Sequence, residues 1–155
     1  MNEAIEVTLS QRRDYQFDIG FAGGAYGFLG DEPAPLGRGE GPGPAQLLVA
    51  AVGNCVSDSL LFALRKFGLD AEPLSARARG FTARNERGRL RVQRIEVEIT
   101  LAKAAADLQH LDRVLGQFKD FCTVTQSVQP CIDVVVTVID STGREFKEPL
   151  PVSAG

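Results

Sequence analysis

The chain has 155 residues, 44% of them hydrophobic and 24% charged, which suits one globular domain with a single sizeable core. Its formal net charge is -3, so a nucleic-acid or anionic-membrane surface, which needs clustered basic charge, is not expected. Three cysteines are too few for a secreted disulfide scaffold, and one histidine disfavours a Cys/His zinc site.

The opening "MNEAIEVTLSQRRDY" has no basic region followed by an apolar run, so no signal peptide is read. The longest uninterrupted apolar stretch, "LLVAAV", is far short of a membrane span, and a cytoplasmic protein with no membrane partner is expected. Residues Ala4 to Ser10 alternate apolar and polar side chains as a half-buried strand does. "QRRD" interrupts the alternation and Tyr15 to Phe21 resumes it, which predicts a hairpin. Gly23, Gly24 and Gly27 read as turns, and "GGAYG" lacks the spacing of a phosphate loop. Gly30 to Gly43 is dense in Gly and Pro and reads as a loop with no core of its own, long enough to suggest a functional segment.

Pro44 suits the first turn of a helix that should run to about Phe67 and stop at Gly68. Leu48, Ala51, Val52, Cys55, Ser59 and Phe62 recur on one face, while Leu47, Val49 and Ala50 are apolar elsewhere. Such a helix is expected to be central and covered by more than one partner. Pro73 to Arg84 and Leu90 to Leu101 then read as a long antiparallel hairpin across "NERG", with a pattern shift near Arg94 and a solvated Arg/Glu face. Leu108, Leu111, Leu115 and Phe118 predict an amphipathic helix, and His110 reads as a surface residue of it. Cys122 to Val128 predicts a short separate helix ended by Pro130. Cys131 to Asp140 predicts a strand, and residues 147–155 a flexible tail. The order of elements gives a single α+β domain over residues 1–155.

The three thiols differ on physical grounds. Cys55, in the middle of an apolar helix, reads first as a small hydrophobe. Cys122 stands at a helix start, where free N–H groups and the helix dipole favour a thiolate. Cys131 opens a strand and reads as packing. Spacing alone does not bring any two of them together.

The segments "PAQLLVAAVGNC" and "FCTVTQSV", together with the order strand, loop, helix, hairpin, helix, strand, resemble the OsmC/Ohr family. The resemblance covers most of the chain. It implies an OsmC-like fold, with antiparallel sheets packed around a long central helix in an intertwined homodimer. It also implies a thiol peroxidase reducing organic hydroperoxides or hydrogen peroxide. Cys55 matches the peroxidatic cysteine and Cys122 the resolving one. No bound cofactor or metal is implied; an external dithiol of the lipoyl type regenerates the thiols.

In "TLSQRRDY" the family's thiolate-stabilising arginine falls on Arg13, with Arg12 its neighbour. Two departures carry chemistry. Where relatives place a glutamate that holds the arginine, this chain has Ala45, and Glu40 in the preceding loop is the substitute to consider. Where relatives have a proline after the second cysteine, it has Thr123. Asp58, one turn beyond Cys55, would oppose a thiolate if it faced the sulfur. The missing glutamate motivates a different expectation, an OsmC-like dimer of weak catalytic power that binds or senses a small hydrophobic ligand.

Overall fold

The structure, a computed structural model, describes residues 3–24 and 26–147. The chain divides into two compact units, Met1–Leu48 and Val49–Gly155.

The first unit is built on a three-stranded antiparallel sheet in the order β1 (Val7–Arg13), β2 (Gln16–Phe21), β3 (Gly27–Gly30). The β1–β2 hairpin forms where expected, but β1 continues through "QRR" before turning at Asp14 and Tyr15. Asp14 makes that turn with φ 46°, in the left-handed region that Asp tolerates better than most residues. The strand β3 replaces an expected turn at Gly27. A Cβ on Gly27 would lie 2.6 Å from the Ile19 carbonyl oxygen, so only glycine lets β3 approach β2 there. Residues 31–43 have no regular structure, yet they fold around the buried carboxylate of Asp31, so the loop has a polar centre in place of the absent apolar one.

Helix α1 (Pro44–Lys66) begins at the expected proline. Gln46 Oε1 accepts the Gly43 N–H at 2.9 Å, the reciprocal half of a capping box. Its other end closes as a Schellman motif, with Leu69 N–H donating to Leu64 O, Gly68 N–H to Arg65 O, and Gly68 at φ 70°. The buried stripe is Val52, Gly53, Val56, Leu60, Ala63 and Leu64, not the face through Ala51 and Phe62; Phe62 is 68% exposed. By length and composition the helix as a whole, with a mean hydropathy of 1.8 over its most apolar 18 residues, is enough to cross a membrane. The short run "LLVAAV" therefore understated it. A third of that window is buried within the chain.

The second unit carries a sheet in the order β4 (Ser75–Arg84), β5 (Leu90–Thr100), β6 (Asp133–Ile139), β7 (Glu145–Lys147). The long hairpin β4–β5 forms, with its register shift one residue from the expected Arg94: Phe81 faces Arg94 and Thr82 faces Val92. The sheet is mixed, not purely antiparallel, because β6 runs parallel to β5. In that register Ile95 faces Val134, Val97 faces Val136 and Ile99 faces Val138, all buried. These six side chains and the α1 stripe form one core. Gly53 and Gly80 let the helix lie close to β4, since a Cβ on Gly80 would meet Val49 Cγ2 at 2.6 Å.

The single amphipathic helix expected after β5 is broken into a 3₁₀ turn at Ala105–Asp107, the short helix α2 (Leu111–Leu115) and a second 3₁₀ turn at Phe118–Phe121. His110 interrupts it with φ 63°, and Gly116 caps α2. Leu108, Leu111, Val114 and Phe118 are nonetheless buried, so the apolar spacing serves the core without a continuous helix. Helix α3 (Thr123–Val128) follows as expected. The tail expected to be flexible falls outside the described residues apart from Lys147, which ends β7.

Candidate active site

In the second unit α1 brings Cys55 to the rim of the core, half-buried against it. Cys122 is fully buried at the N-cap of α3. Its Sγ accepts the Thr125 N–H at 3.4 Å and donates to Thr125 Oγ1 at 3.0 Å. The residue thus caps the helix as Ser or Asp would, and its sulfur is fixed in place. The two thiols, separated by 66 residues in sequence, are close enough for Cys122 to act on the Cys55 pKa, and both are free. Burial pushes the Cys55 pKa above its ordinary 9.0, and the neighbouring Cys122 adds to the rise. Backbone groups of Val124 and Thr125 oppose it without reversing it. In these surroundings Cys55 is a thiol at neutral pH, and a nucleophile there needs added positive charge.

Asp58 takes no part in this. It is exposed, and its Oδ2 accepts the Asn54 amide at 3.4 Å. Cys131, expected as packing, is exposed, because β6 begins two residues later and leaves it outside the sheet. His110 is exposed as expected. Among the described residues, no three His, Cys, Asp or Glu side chains converge as a metal-binding group.

In the first unit Arg13 ends β1, and its Nη2 meets Glu40 Oε2 at 3.4 Å. Its Nε donates to Gln16 Oε1 at 3.0 Å. Glu40 thus pairs with the arginine, and Ala45, the position where the sequence resemblance led one to expect a carboxylate, is exposed. Arg12 is engaged elsewhere, in a two-point pair with Asp18 whose shorter contact is 2.6 Å. Gln16 and Asp31, each 2% exposed, are the polar centre of this unit. Asp31 accepts N–H groups from Glu32, Arg38 and Glu40 and the Gln16 amide. Burial raises the Asp31 pKa, but those donors outweigh it and hold the carboxyl below its ordinary 3.8. Neither residue stood out in sequence.

The profile of the family described as OsmC-like protein matches residues 37–137, about two thirds of the chain. No protein of curated function matches it. Among solved structures, an OsmC-like protein of unknown function from Vibrio cholerae is 19% identical, with a TM-score of 0.75 over 89% of this chain and 100% of that one. An organic hydroperoxide resistance protein from Elizabethkingia anophelis is 15% identical, with a TM-score of 0.73 over 91% and 99%. The organic hydroperoxide resistance protein OhrB of Bacillus subtilis is 15% identical, with a TM-score of 0.68 over 88% and 98%. These likenesses establish the shared α+β fold.

Proposed function

The chain belongs to the family of OsmC-like proteins, and from that premise we propose that it is a thiol-dependent peroxidase working through Cys55 and Cys122. The observation that carries this is the adjacency of the two thiols, one half-buried on α1 and one fixed at the cap of α3. The names of two structural relatives point the same way, toward organic hydroperoxides as substrates.

The reaction is written with Cys55 as nucleophile. Its thiolate attacks one oxygen of the peroxide, the O–O bond breaks, and the departing alkoxide or hydroxide takes up a proton. Cys55 becomes a sulfenic acid. Cys122 attacks that sulfur, the S–S bond forms and water leaves. An external dithiol of the lipoyl type reduces the disulfide by exchange and is itself oxidised to a cyclic disulfide. No metal or bound cofactor enters any step.

Arg13 is assigned the positive charge that Cys55 needs, and Glu40 the part of the family's missing glutamate. The Arg13–Glu40 pair supports this over the reading as a catalytically weak ligand-binding dimer, whose motive was the absence of that carboxylate. The working form is a homodimer in the cytoplasm. Apolar side chains left exposed on the chain support a second copy as their cover: Leu9 is 63% exposed, and Phe17, Phe21, Phe62 and Phe81 are also exposed. Light scattering on the sized protein should return twice the 16.7 kDa chain mass, and a monomer at micromolar concentration would remove the dimer from the account.

The function itself is tested by hydroperoxide consumption with a dithiol donor. Turnover that halts after one peroxide per chain when the dithiol is withheld is the expected result. No consumption under either condition would end the proposal.

A further inference from the structure

We infer that Gln16, anchored by Asp31, is a positioning residue for Arg13, an inference that rests on the assignment of Arg13 to the peroxidase chemistry. One buried amide reaches all three of its charged neighbours. Gln16 Oε1 accepts from Arg13 Nε at 3.0 Å, while its Nε2 donates to Glu40 Oε2 at 2.6 Å and to Asp31 Oδ2 at 3.2 Å. Arg13 itself closes the ring by reaching the same Glu40 oxygen at 3.4 Å.

The residue type is dictated by this arrangement. An amide alone offers an acceptor to the guanidinium and donors to two carboxylates at once. A glutamate at position 16 would accept from Arg13 but would face Asp31 and Glu40 with a third negative charge. A leucine would offer Asp31 and Glu40 no donor and Arg13 Nε no acceptor.

Asp31 supplies the fixed end. Its Oδ1 accepts the Glu32 N–H at 2.8 Å, and its Oδ2 accepts the Arg38 and Glu40 N–H groups at 3.2 and 3.1 Å. The same carboxylate thus holds the backbone of Glu40 and, through Gln16, its side chain. Arg13 and Glu40 have half-exposed side chains, at 51% and 46%. An exposed ion pair of that kind contributes little by itself and wanders. The buried amide confines it.

The inference is tested by a double-mutant cycle on the rate of peroxide consumption, with Gln16→Met, Arg13→Met and both together. Loss of Gln16 should slow the reaction about 10- to 100-fold, the effect of a displaced catalytic group. It should also move the pH profile of Cys55 alkylation to higher pH. In the Arg13→Met background the Gln16 change should cost nothing further. Gln16→Glu, which keeps the shape, should shift the profile in the same direction, and circular dichroism identifies any variant that fails to fold.

Equal losses in both backgrounds, or an unmoved pH profile, would overturn the positioning role. That outcome is separable from failure of the underlying assignment, in which Arg13→Met alone would leave the rate unchanged.

Discussion

Cys55→Ser is expected to abolish hydroperoxide consumption, lowering the rate by at least about 10³-fold, the scale seen when a covalent nucleophile is removed. A serine hydroxyl in the same half-buried place neither ionises near neutral pH nor attacks a peroxide oxygen. The companion change, Cys122→Ser, should have a different signature. The first peroxide is consumed at a near-normal rate, because Cys122 enters only after the O–O bond has broken. Turnover then stops with Cys55 held as a sulfenic acid, which a dimedone adduct on the α1 peptide would record. Cys131→Ser should leave both phases intact, since that thiol is exposed at the start of the β6 segment and outside the pair. Equal activity in wild type and Cys55→Ser would refute the assignment of the nucleophile.

The second large effect falls on Arg13. The groups packed around Cys55 raise its pKa, burial first and then Cys122, so the folded unit by itself suppresses the thiolate. The sign is clear: a raised pKa keeps the proton on sulfur at neutral pH and moves reactivity to alkaline pH. A guanidinium near the sulfur acts in the opposite sense. Arg13→Met should therefore slow peroxide consumption about 10²- to 10³-fold, the range for loss of one preorganised electrostatic group. Part of the loss should be recovered as pH rises above the ordinary thiol range. Glu40→Gln should give a smaller loss, because Gln16 still holds the Nε of Arg13. Stopped-flow rates across pH 6 to 10 distinguish these cases. An Arg13→Met profile superimposable on wild type would remove the arginine from the mechanism.

Much of the fold was legible because local and long-range signals agreed. Pro44 and Gly68 bracket α1 by backbone chemistry that few other residues supply, and the β4–β5 hairpin follows from two alternating runs around a turn. What escaped has physical causes. The strand β3 hides in glycines that are needed for close strand approach but resemble a turn. The apolar face of α1 was misread because the helix is apolar nearly all round, so periodicity could not choose which side meets the sheet. Leu108, Leu111 and Phe118 keep helical spacing, yet the left-handed His110 breaks the helix without moving them out of the core. The parallel pairing of β5 with β6 leaves no trace in either strand, since neither the alternation of β5 nor the β-branched run of β6 says which way a neighbour runs.

For the site, no residue-level signal joined Cys55 to Cys122; only the family resemblance did. The physical reading did favour Cys122 as the thiol at a helix start, and the structure gives it the N-cap of α3. Gln16 and Asp31 were invisible for a related reason. A polar residue in a strand or a Gly-rich loop reads as solvated, and only tertiary packing turns it into a buried centre.

The central claim is that Cys55 and Cys122 form the redox pair. Peptide mapping by mass spectrometry, after one equivalent of an organic hydroperoxide and alkylation of remaining thiols, tests it most directly. The expected result is a disulfide joining the Cys55 and Cys122 peptides, with Cys131 recovered alkylated. A disulfide involving Cys131, or all three cysteines alkylated after the peroxide has been consumed, would contradict it.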